Sequence, residues 1–175
     1  MGVLLRVDTQ QALHEALVEK QPRLIVEIGS WIGYSCCFMA SRAPEAKIIC
    51  LDTWRGSRDI YEMRSTEPFI ADSYDRFLSN TWHLKERVHP FKIDGVNGMR
   101  MLWETGLVPD LVFIDGGHEY ESAYGDIHMT MRCFPSTLIV LDDIDHNGVA
   151  EAAAECCKKF SRQLTVTGTV GATIT

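Results

Sequence analysis

Five short apolar segments of this sequence each end in a carboxylate. They span residues 24–27, 48–52, 91–94, 111–115 and 138–142. Apolar runs of this length are typical of strands buried on both faces, as in a parallel sheet. Ligands of such sheets bind at the carboxyl ends of the strands, where crowded carboxylates would repel one another. The pattern therefore predicts a site for a cationic or hydroxyl-rich ligand. Its acids are Glu27, Asp52, Asp94, Asp115, Asp142 and Asp143.

Three of these acids form a candidate metal site. Asp115 ends one segment and Asp142 with Asp143 ends the next, so carboxylates from two adjacent strand ends would converge. An all-oxygen set of this kind suits Mg²⁺, with Mn²⁺ or Ca²⁺ as alternatives. The pair Asp142 and Asp143 could instead cap the helix that follows, although Asp145 and Asn147 stand in better positions for that purpose.

The first segment opens into a glycine turn of the pattern E-x-G-x-x-x-G. Trp31 stands where a dinucleotide-binding turn carries its second glycine, which disfavours an NAD site. Gly29 and Gly33 allow a tight turn, and the first N–H groups of the next helix, with Ser35, suit a carboxylate. Glu27 is predicted to organise the backbone donors of this turn rather than to contact the ligand directly.

Two later positions extend this site towards a nucleoside. Asp52 lies 23 residues after Gly29, close to the spacing at which an acid binds a ribose. Asp94 and Gly95 follow the third segment, where a base would lie. Together these positions indicate a ligand made of adenosine joined to an amino acid. The alternatives are that Asp52 caps a loop and that the two glycines only permit close packing.

Helical patterns fill the intervals between the apolar segments. They cover residues 8–20, 35–42, 72–84, 95–104, 119–131 and 148–160, with Asp8 and Thr9 as the expected cap of the first helix. Residues 163–175 contain two β-prone pieces around glycine and predict a terminal hairpin. The fold class is α/β: a doubly wound, mostly parallel seven-stranded sheet with an antiparallel C-terminal hairpin. Residues 1–175 are read as one domain, with 54–69 as a loop over the site.

Composition excludes several classes of function. The 17 basic and 24 acidic residues give a net charge of −7, and no basic run exceeds Lys158-Lys159, which argues against nucleic acid. The six cysteines include no C-x-x-C pair and predict neither a disulfide framework nor zinc. The N-terminal apolar stretch is short for a signal peptide, and no run reaches the length of a membrane span. A cytoplasmic protein that does not enter membranes is expected.

Four motifs resemble class I S-adenosylmethionine-dependent methyltransferases of the catechol O-methyltransferase type, and the family-24 branch in particular. They are VEIGSWIGYS at 26–35, LDTWRGS at 51–57, FIDGGHEY at 113–120 and LDD at 141–143. The resemblance covers roughly residues 22–160, and it implies methyl transfer from S-adenosylmethionine to a hydroxyl of a small sugar, phenol or natural product. It implies cofactor contacts at Glu27, Gly29, Ser30, Trp31, Gly33, Ser35, Asp52, Thr53, Trp54, Asp94, Gly95 and Asp115.

The same resemblance implies that Asp115, Asp142 and Asp143 hold a divalent metal. His118 takes the place of a basic lysine in the catechol enzyme and is the candidate general base, the alternative being a cap or surface histidine. Trp31, Trp54 and Tyr61 either line the pocket or serve packing. His146 could contact acceptor or metal, although loop chemistry explains it about as well.

Two rival functions stay open. Some family-24 relatives are associated with hydroxylation or methoxylation, and a non-catalytic S-adenosylmethionine-binding subunit would preserve the same pocket. Catechol-type enzymes carry additional N-terminal helices over the acceptor side, whereas only residues 8–20 form a helix before the first strand here. Acceptor recognition is therefore expected from 54–69, from 145–147 or from another subunit, and a homo-oligomer is possible.

Overall fold

The computed structural model describes residues 5–56 and 72–175, which form a seven-stranded sheet between two layers of helices. The strand order is β3-β2-β1-β4-β5-β7-β6; neighbours from β3 to β5 are parallel, and β7 runs antiparallel to β5 and β6. The strands are β1 (Leu24–Ile28), β2 (Lys47–Asp52), β3 (Val88–Lys92), β4 (Leu111–Ile114), β5 (Leu138–Leu141), β6 (Leu164–Thr167) and β7 (Gly171–Ile174). This confirms the predicted fold class and terminal hairpin.

Helices follow the strands in the predicted alternation. They are α1 (Val7–Lys20), α2 (Tyr34–Arg42), α3 (Ser73–Thr81), α4 (Gly95–Glu104), α5 (Tyr120–Cys133) and α6 (Asn147–Phe160). The predicted helix over 72–84 ends as a 3₁₀ turn at Trp82–Leu84. Tyr61 and most of the predicted loop over 54–69 lie outside the described residues.

Alternation along the central strands separates the core into two layers. Ile25 of β1, Phe113 of β4 and Val140 of β5 pack towards α1, α2 and α3. Their neighbours pack towards α4, α5 and α6 on the opposite face, as Val26 and Val112 do. Because side chains alternate with period two, Asp115 and Asp142, two residues after Phe113 and Val140, continue on the α1 face of the sheet.

Strand β3 differs from its prediction. It spans Val88–Lys92 instead of 91–94, so Asp94 follows the strand at the start of α4 and does not end it. As an edge strand, β3 has a weak apolar pattern: Phe91 and Lys92 are exposed, and Pro90 is tolerated there because an edge position needs fewer ladder hydrogen bonds.

The expected cap of α1 is also wrong. Arg6 occupies the N-cap position without a side-chain hydrogen bond to the helix. The Asp8 carboxylate accepts instead from the backbone N–H of Thr169, at 2.7 Å, and from its hydroxyl, at 3.0 Å. The first turn of α1 is thereby attached to the turn between β6 and β7.

Two expectations drawn from composition can be compared with the structure. All six cysteines are free. Within residues 5–56 and 72–175, each helix is too short or too polar to cross a membrane.

Candidate active site at the carboxyl edge of the sheet

The glycine turn after β1 packs directly against the end of β4. Gly29 has a φ of +86°, and a Cβ atom built on it would lie 1.9 Å from the carbonyl oxygen of Asp115. Gly33, at the start of α2, also has a positive φ, +87°, and a Cβ atom built on it would lie 2.7 Å from Thr81 of α3. Both glycines are therefore required by close contact as well as by backbone conformation.

Asp52 at the end of β2 binds the backbone of this turn. Its Oδ2 accepts the N–H groups of Ser30 at 2.9 Å and Trp31 at 2.7 Å, and its Oδ1 accepts that of Trp54 at 2.6 Å. The indole N–H of Trp54 donates to the carbonyl of Trp31 at 2.6 Å. The predicted organiser of these donors, Glu27, was the wrong residue: Asp52 lies beside the turn, whereas Glu27 lies beneath it.

Three residues of the site have left-handed backbone conformations without being glycine. The φ angles are +42° for Trp31, +50° for Trp54 and +59° for Asp143; two further cases, Gln21 and Ser161, end helices. Such conformations cost a side-chain-bearing residue about 1–2 kcal/mol and persist where surrounding contacts impose them. For Trp31 and Trp54 those contacts are the hydrogen bonds to Asp52 and between the two tryptophans.

Glu27 is fully buried below the glycine turn. The hydroxyl of Ser30 donates to its Oε2, while Oε1 is buried without a hydrogen-bond partner. Burial raises the pKa of Glu27 to about 7, against the opposing effect of the Ser30 hydrogen bond. Ser35, in the first turn of α2, is also buried. The turn thus covers a carboxyl with one unused acceptor oxygen.

Asp94 and Gly95 lie at the start of α4, which packs on the face of the sheet opposite to α2. The Asp94 carboxylate caps the helix by accepting from the N–H of Asn97 at 3.0 Å and from its side-chain amide at 2.8 Å. A Cβ on Gly95 would lie 2.3 Å from Oδ1 of Asp126. Asp126, on α5, was not expected in the site; burial raises its pKa to about 7, and the Asp94 charge adds to the shift.

Thr53 and Trp54 follow Asp52 on the same edge. Thr53 is exposed, and its hydroxyl accepts the N–H of Arg55 at 3.3 Å. Trp54 is buried edge-on against Tyr74 at 4.8 Å and Phe77 at 5.1 Å between ring centroids. The Trp54 ring thus packs into the core beside α3, and its backbone N–H binds Asp52.

The three predicted metal ligands do converge. Asp115, Asp142 and Asp143 each offer a carboxylate oxygen within 4.8 Å of the others. Loss of hydration, followed by the charges of Asp142 and Asp143, raises the pKa of Asp115 well above its ordinary range. The pKa of Asp142 is also raised, mainly by burial. Carboxylates that hold on to protons in this way form a site in which added positive charge is favourable.

Two histidines flank the acidic site. Nε2 of His118 lies 2.8 Å from Oδ2 of Asp143, and the His118 ring lies 4.5 Å from that of His146, between centroids. Burial opposes the charged form of Asp143, but contact with His118 and the charge of Arg6 outweigh it, so the pKa of Asp143 is lowered. Asp143, Asp145 and His146 form a second group with ligand atoms within 4.8 Å.

Sequence reasoning missed two residues at the start of α1 that reach this site, Thr9 in its first turn and Arg6 at its N-cap position. The hydroxyl of Thr9 donates to Oδ1 of Asp142. The guanidinium of Arg6 contacts Asp143 and Asp145 and lies 3.5 Å from Oδ1 of Asp142. The alternation of β5 would have placed Asp142 on the α1 face, but the contact itself depends on where α1 crosses the sheet.

The strand order, the glycine turn after β1 and the acid at the end of β2 together define a Rossmann-like methyltransferase fold. Many solved structures share it, three methyltransferases among them. An O-methyltransferase from Bacillus cereus in complex with SAH has a TM-score of 0.66 and 17% identity, over 97% of this chain and 80% of that one. An SAH-bound methyltransferase from Podospora anserina has a TM-score of 0.64 and 16% identity, over 94% and 76%.

The third is a TDP-rhamnose 3'-O-methyltransferase of calicheamicin biosynthesis, with a TM-score of 0.63 and 18% identity over 97% of this chain and 81% of that one. Residues 26–144 match the family described as a methyltransferase domain. The chain therefore belongs to this methyltransferase family. No curated protein matches it.

Proposed function

We propose that this chain is an S-adenosylmethionine-dependent O-methyltransferase that acts on a small hydroxylated acceptor with the help of a divalent cation. The observation that carries the proposal is the contact between the glycine turn and the end of β4. Because Gly29 touches the backbone of Asp115, a cofactor held by the turn would lie next to the acidic site. A methyl donor and a hydroxyl bound at the acids would then be close enough to react.

The proposed cofactor site extends from the glycine turn to Gly95. Asp52 uses three acceptor positions for backbone N–H groups, and a carboxylate has about four, so it retains capacity for one ribose hydroxyl. The unpartnered Oε1 of Glu27 would accept from the ammonium of the methionine end, while Ser35 and the first N–H groups of α2 suit its carboxylate. Asp94 and Gly95 would border the adenine.

The proposed metal ligands are Asp115, Asp142 and Asp143. Their oxygen donors and the raised pKa of Asp115 fit a hard divalent cation such as Mg²⁺. When bound, such a cation would lower the pKa of the acceptor hydroxyl and hold it in place. His118, beside Asp143, would receive the hydroxyl proton while the acceptor oxygen took the methyl group, and the carbon–sulfur bond would break to release S-adenosylhomocysteine.

Binding of the cofactor is the first test. Isothermal titration calorimetry with S-adenosylmethionine and with S-adenosylhomocysteine should give saturable binding of both. Absence of binding at high micromolar ligand would reject the proposal. Transfer of a labelled methyl group is then measured over a panel of phenols, sugars and nucleotide sugars, with acid and alkali treatment of the product to distinguish ethers from esters.

The same experiment separates the rival functions. A non-catalytic binding subunit would bind the cofactor and transfer no label to any acceptor, whereas a hydroxylation-associated protein would consume acceptor without incorporating label. The metal requirement is tested separately, with Asp115→Asn and Asp142→Asn in chelator and in Mg²⁺. If these variants, in chelator, methylate an acceptor as fast as the unchanged protein does in Mg²⁺, the metal has no role and the methyltransferase proposal survives without it.

A further inference from the structure

The side chain of Arg6 lies among the acids at the end of β5. Nη1 and Nη2 each donate to one carboxylate oxygen of Asp145 at 3.0 Å. Nη2 also contacts Oδ1 of Asp143 and lies 3.5 Å from Oδ1 of Asp142. One guanidinium therefore faces three carboxylates, two of which belong to the proposed metal site.

This position is supported by the first turn of α1. Arg6 precedes α1 directly, and two residues within the turn are attached to the sheet: Thr9 donates to Asp142, and Asp8 accepts from Thr169. These contacts on both sides direct the guanidinium to the end of β5. About a third of the Arg6 side chain is exposed, so it can leave the acids without disrupting the core.

Arg6 contacts or approaches two of the three carboxylates that the proposed metal would bind, Asp142 and Asp143. In Asp143, Oδ1 contacts Arg6 and Oδ2 contacts His118, so both oxygens already face a basic group. In Asp142, Oδ1 accepts from Thr9 and from the N–H of Asp143 at 2.8 Å. A divalent cation bound to Oδ1 of Asp143 would share that oxygen with the guanidinium, and one bound to Oδ2 would still lie on the carboxylate that Arg6 contacts, so the two positive charges would repel at close range.

We propose that Arg6 is an internal cation of the acidic site and competes with the divalent metal for Asp143 and Asp142. With Arg6 in contact, the acids are compensated without metal; metal binding displaces the guanidinium, which keeps its pair with Asp145 or moves into solvent. Arg6 therefore sets the metal affinity of the chain. The proposal rests on the metal site described above and makes a separate claim about how tightly it binds.

The test is Mn²⁺ binding measured by electron paramagnetic resonance of the free ion, which needs no acceptor and no turnover. Arg6→Ala should bind Mn²⁺ at least about tenfold more tightly than the unchanged protein. Arg6→Lys should give an intermediate affinity, because an ammonium cannot contact both Asp145 oxygens and Asp143 as a planar fork does. Arg76→Ala is the matched control: it removes the same charge from α3, where Arg76 forms an exposed pair with the N-cap residue Asp72, and the affinity should not change.

Thermal unfolding supplies a second readout that also checks folding. In chelator, Arg6→Ala should unfold at a lower temperature, because the acids lose their internal cation, and Mn²⁺ should raise its midpoint more than that of the unchanged protein. Equal Mn²⁺ affinity in Arg6→Ala and the unchanged protein would overturn the role of Arg6 and leave the metal site intact. Absence of Mn²⁺ binding in both would overturn the metal site and this proposal together, while cofactor binding would still test the methyltransferase.

Discussion

A Cβ atom on Gly29 would lie 1.9 Å from the carbonyl oxygen of Asp115. The same Asp115 supplies a backbone N–H to the carbonyl of Ile28, at 2.8 Å, so β1 and β4 are joined up to the point where the turn begins. The proposed cofactor turn and the acidic site are therefore packed as one rigid arrangement. A substitution in the turn should therefore alter both cofactor binding and the geometry of the acidic site.

Gly29→Ala should damage the site through this contact. We expect a loss of about 1–3 kcal/mol in unfolding free energy from the clash, added to about 1–2 kcal/mol for a left-handed alanine. Binding of S-adenosylmethionine should fall below detection, because the turn must move away from Asp115. Urea denaturation and calorimetry measure the two effects.

Gly106→Ala is the matched control for that substitution. Gly106 has a φ of +75°, but a Cβ there would meet nothing within 4 Å. It should lose only the cost of the backbone conformation and bind the cofactor normally. If the two variants lose equal stability and bind equally well, close packing on Asp115 is not what Gly29 provides.

Asp52→Asn should weaken cofactor binding about 10–100-fold. The variant replaces one carboxylate oxygen with an amide donor, which cannot accept from the turn and cannot accept from a ribose hydroxyl. The turn residues Ser30 and Trp31 would lose their acceptor, so stability should also fall by about 1–3 kcal/mol. Calorimetry with S-adenosylhomocysteine and urea denaturation measure these changes.

Asp110→Asn separates the two effects. Oδ2 of Asp110 accepts the N–H groups of Arg23 at 2.8 Å and Leu24 at 3.0 Å, at the opposite edge of the sheet. This variant should lose comparable stability and keep its cofactor affinity. Equal weakening of cofactor binding in both variants would mean that Asp52 acts through global stability and has no role in the ribose site.

Local patterns were sufficient for the fold and insufficient for some contacts of the site. Buried runs and glycine punctuation are determined by neighbours in sequence, so the central strands and the terminal hairpin were predictable. The prediction that Asp94 ends β3 was wrong, because an edge strand buries few residues and its sequence pattern is not apolar. Asp52 could be placed at a strand end, but its hydrogen bonds to Trp31 and Trp54 depend on left-handed conformations that residue type does not indicate.

Arg6 could not be found from local patterns for a different reason. It meets Asp143 across 137 residues of sequence, and this contact requires both the hand of the crossover and the position of α1 over β5. The one available indication was alternation: Asp142 lies two residues after Val140, which faces α1. A search for basic residues at the start of the helix on that face would have identified Arg6.

His118→Ala should lower kcat for methyl transfer by about 10²–10⁴-fold while S-adenosylhomocysteine affinity stays the same. The reason is that His118 contacts Asp143 of the acidic site and would act on the acceptor hydroxyl, not on the cofactor. His146→Ala is the matched control, since its ring lies 4.5 Å from that of His118 at the start of α6. A larger rate loss in His146→Ala than in His118→Ala would mean that His146, and not His118, receives the proton.

Glu27→Gln should change how stability depends on pH. The folded-state pKa of Glu27 is raised to about 7 from an ordinary value of 4.5. A raised pKa means that the folded protein favours the protonated form of Glu27. The contribution of Glu27 to the free energy of unfolding is therefore fully present below about pH 4.5 and is lost as pH rises through about 7. Glutamine stays neutral, so the variant keeps this contribution to stability at every pH.

The quantity to measure is the difference in unfolding free energy between Glu27→Gln and the unchanged protein, from urea denaturation at about pH 5 and about pH 8. It should shift in favour of the variant by up to about 3 kcal/mol over that interval. Asp126, whose pKa is also raised to about 7, contributes the same slope to both proteins and cancels in the difference. A difference that does not change with pH would mean that Glu27 is charged in the folded protein and that a cationic group, absent from the contacts described for it, compensates that charge.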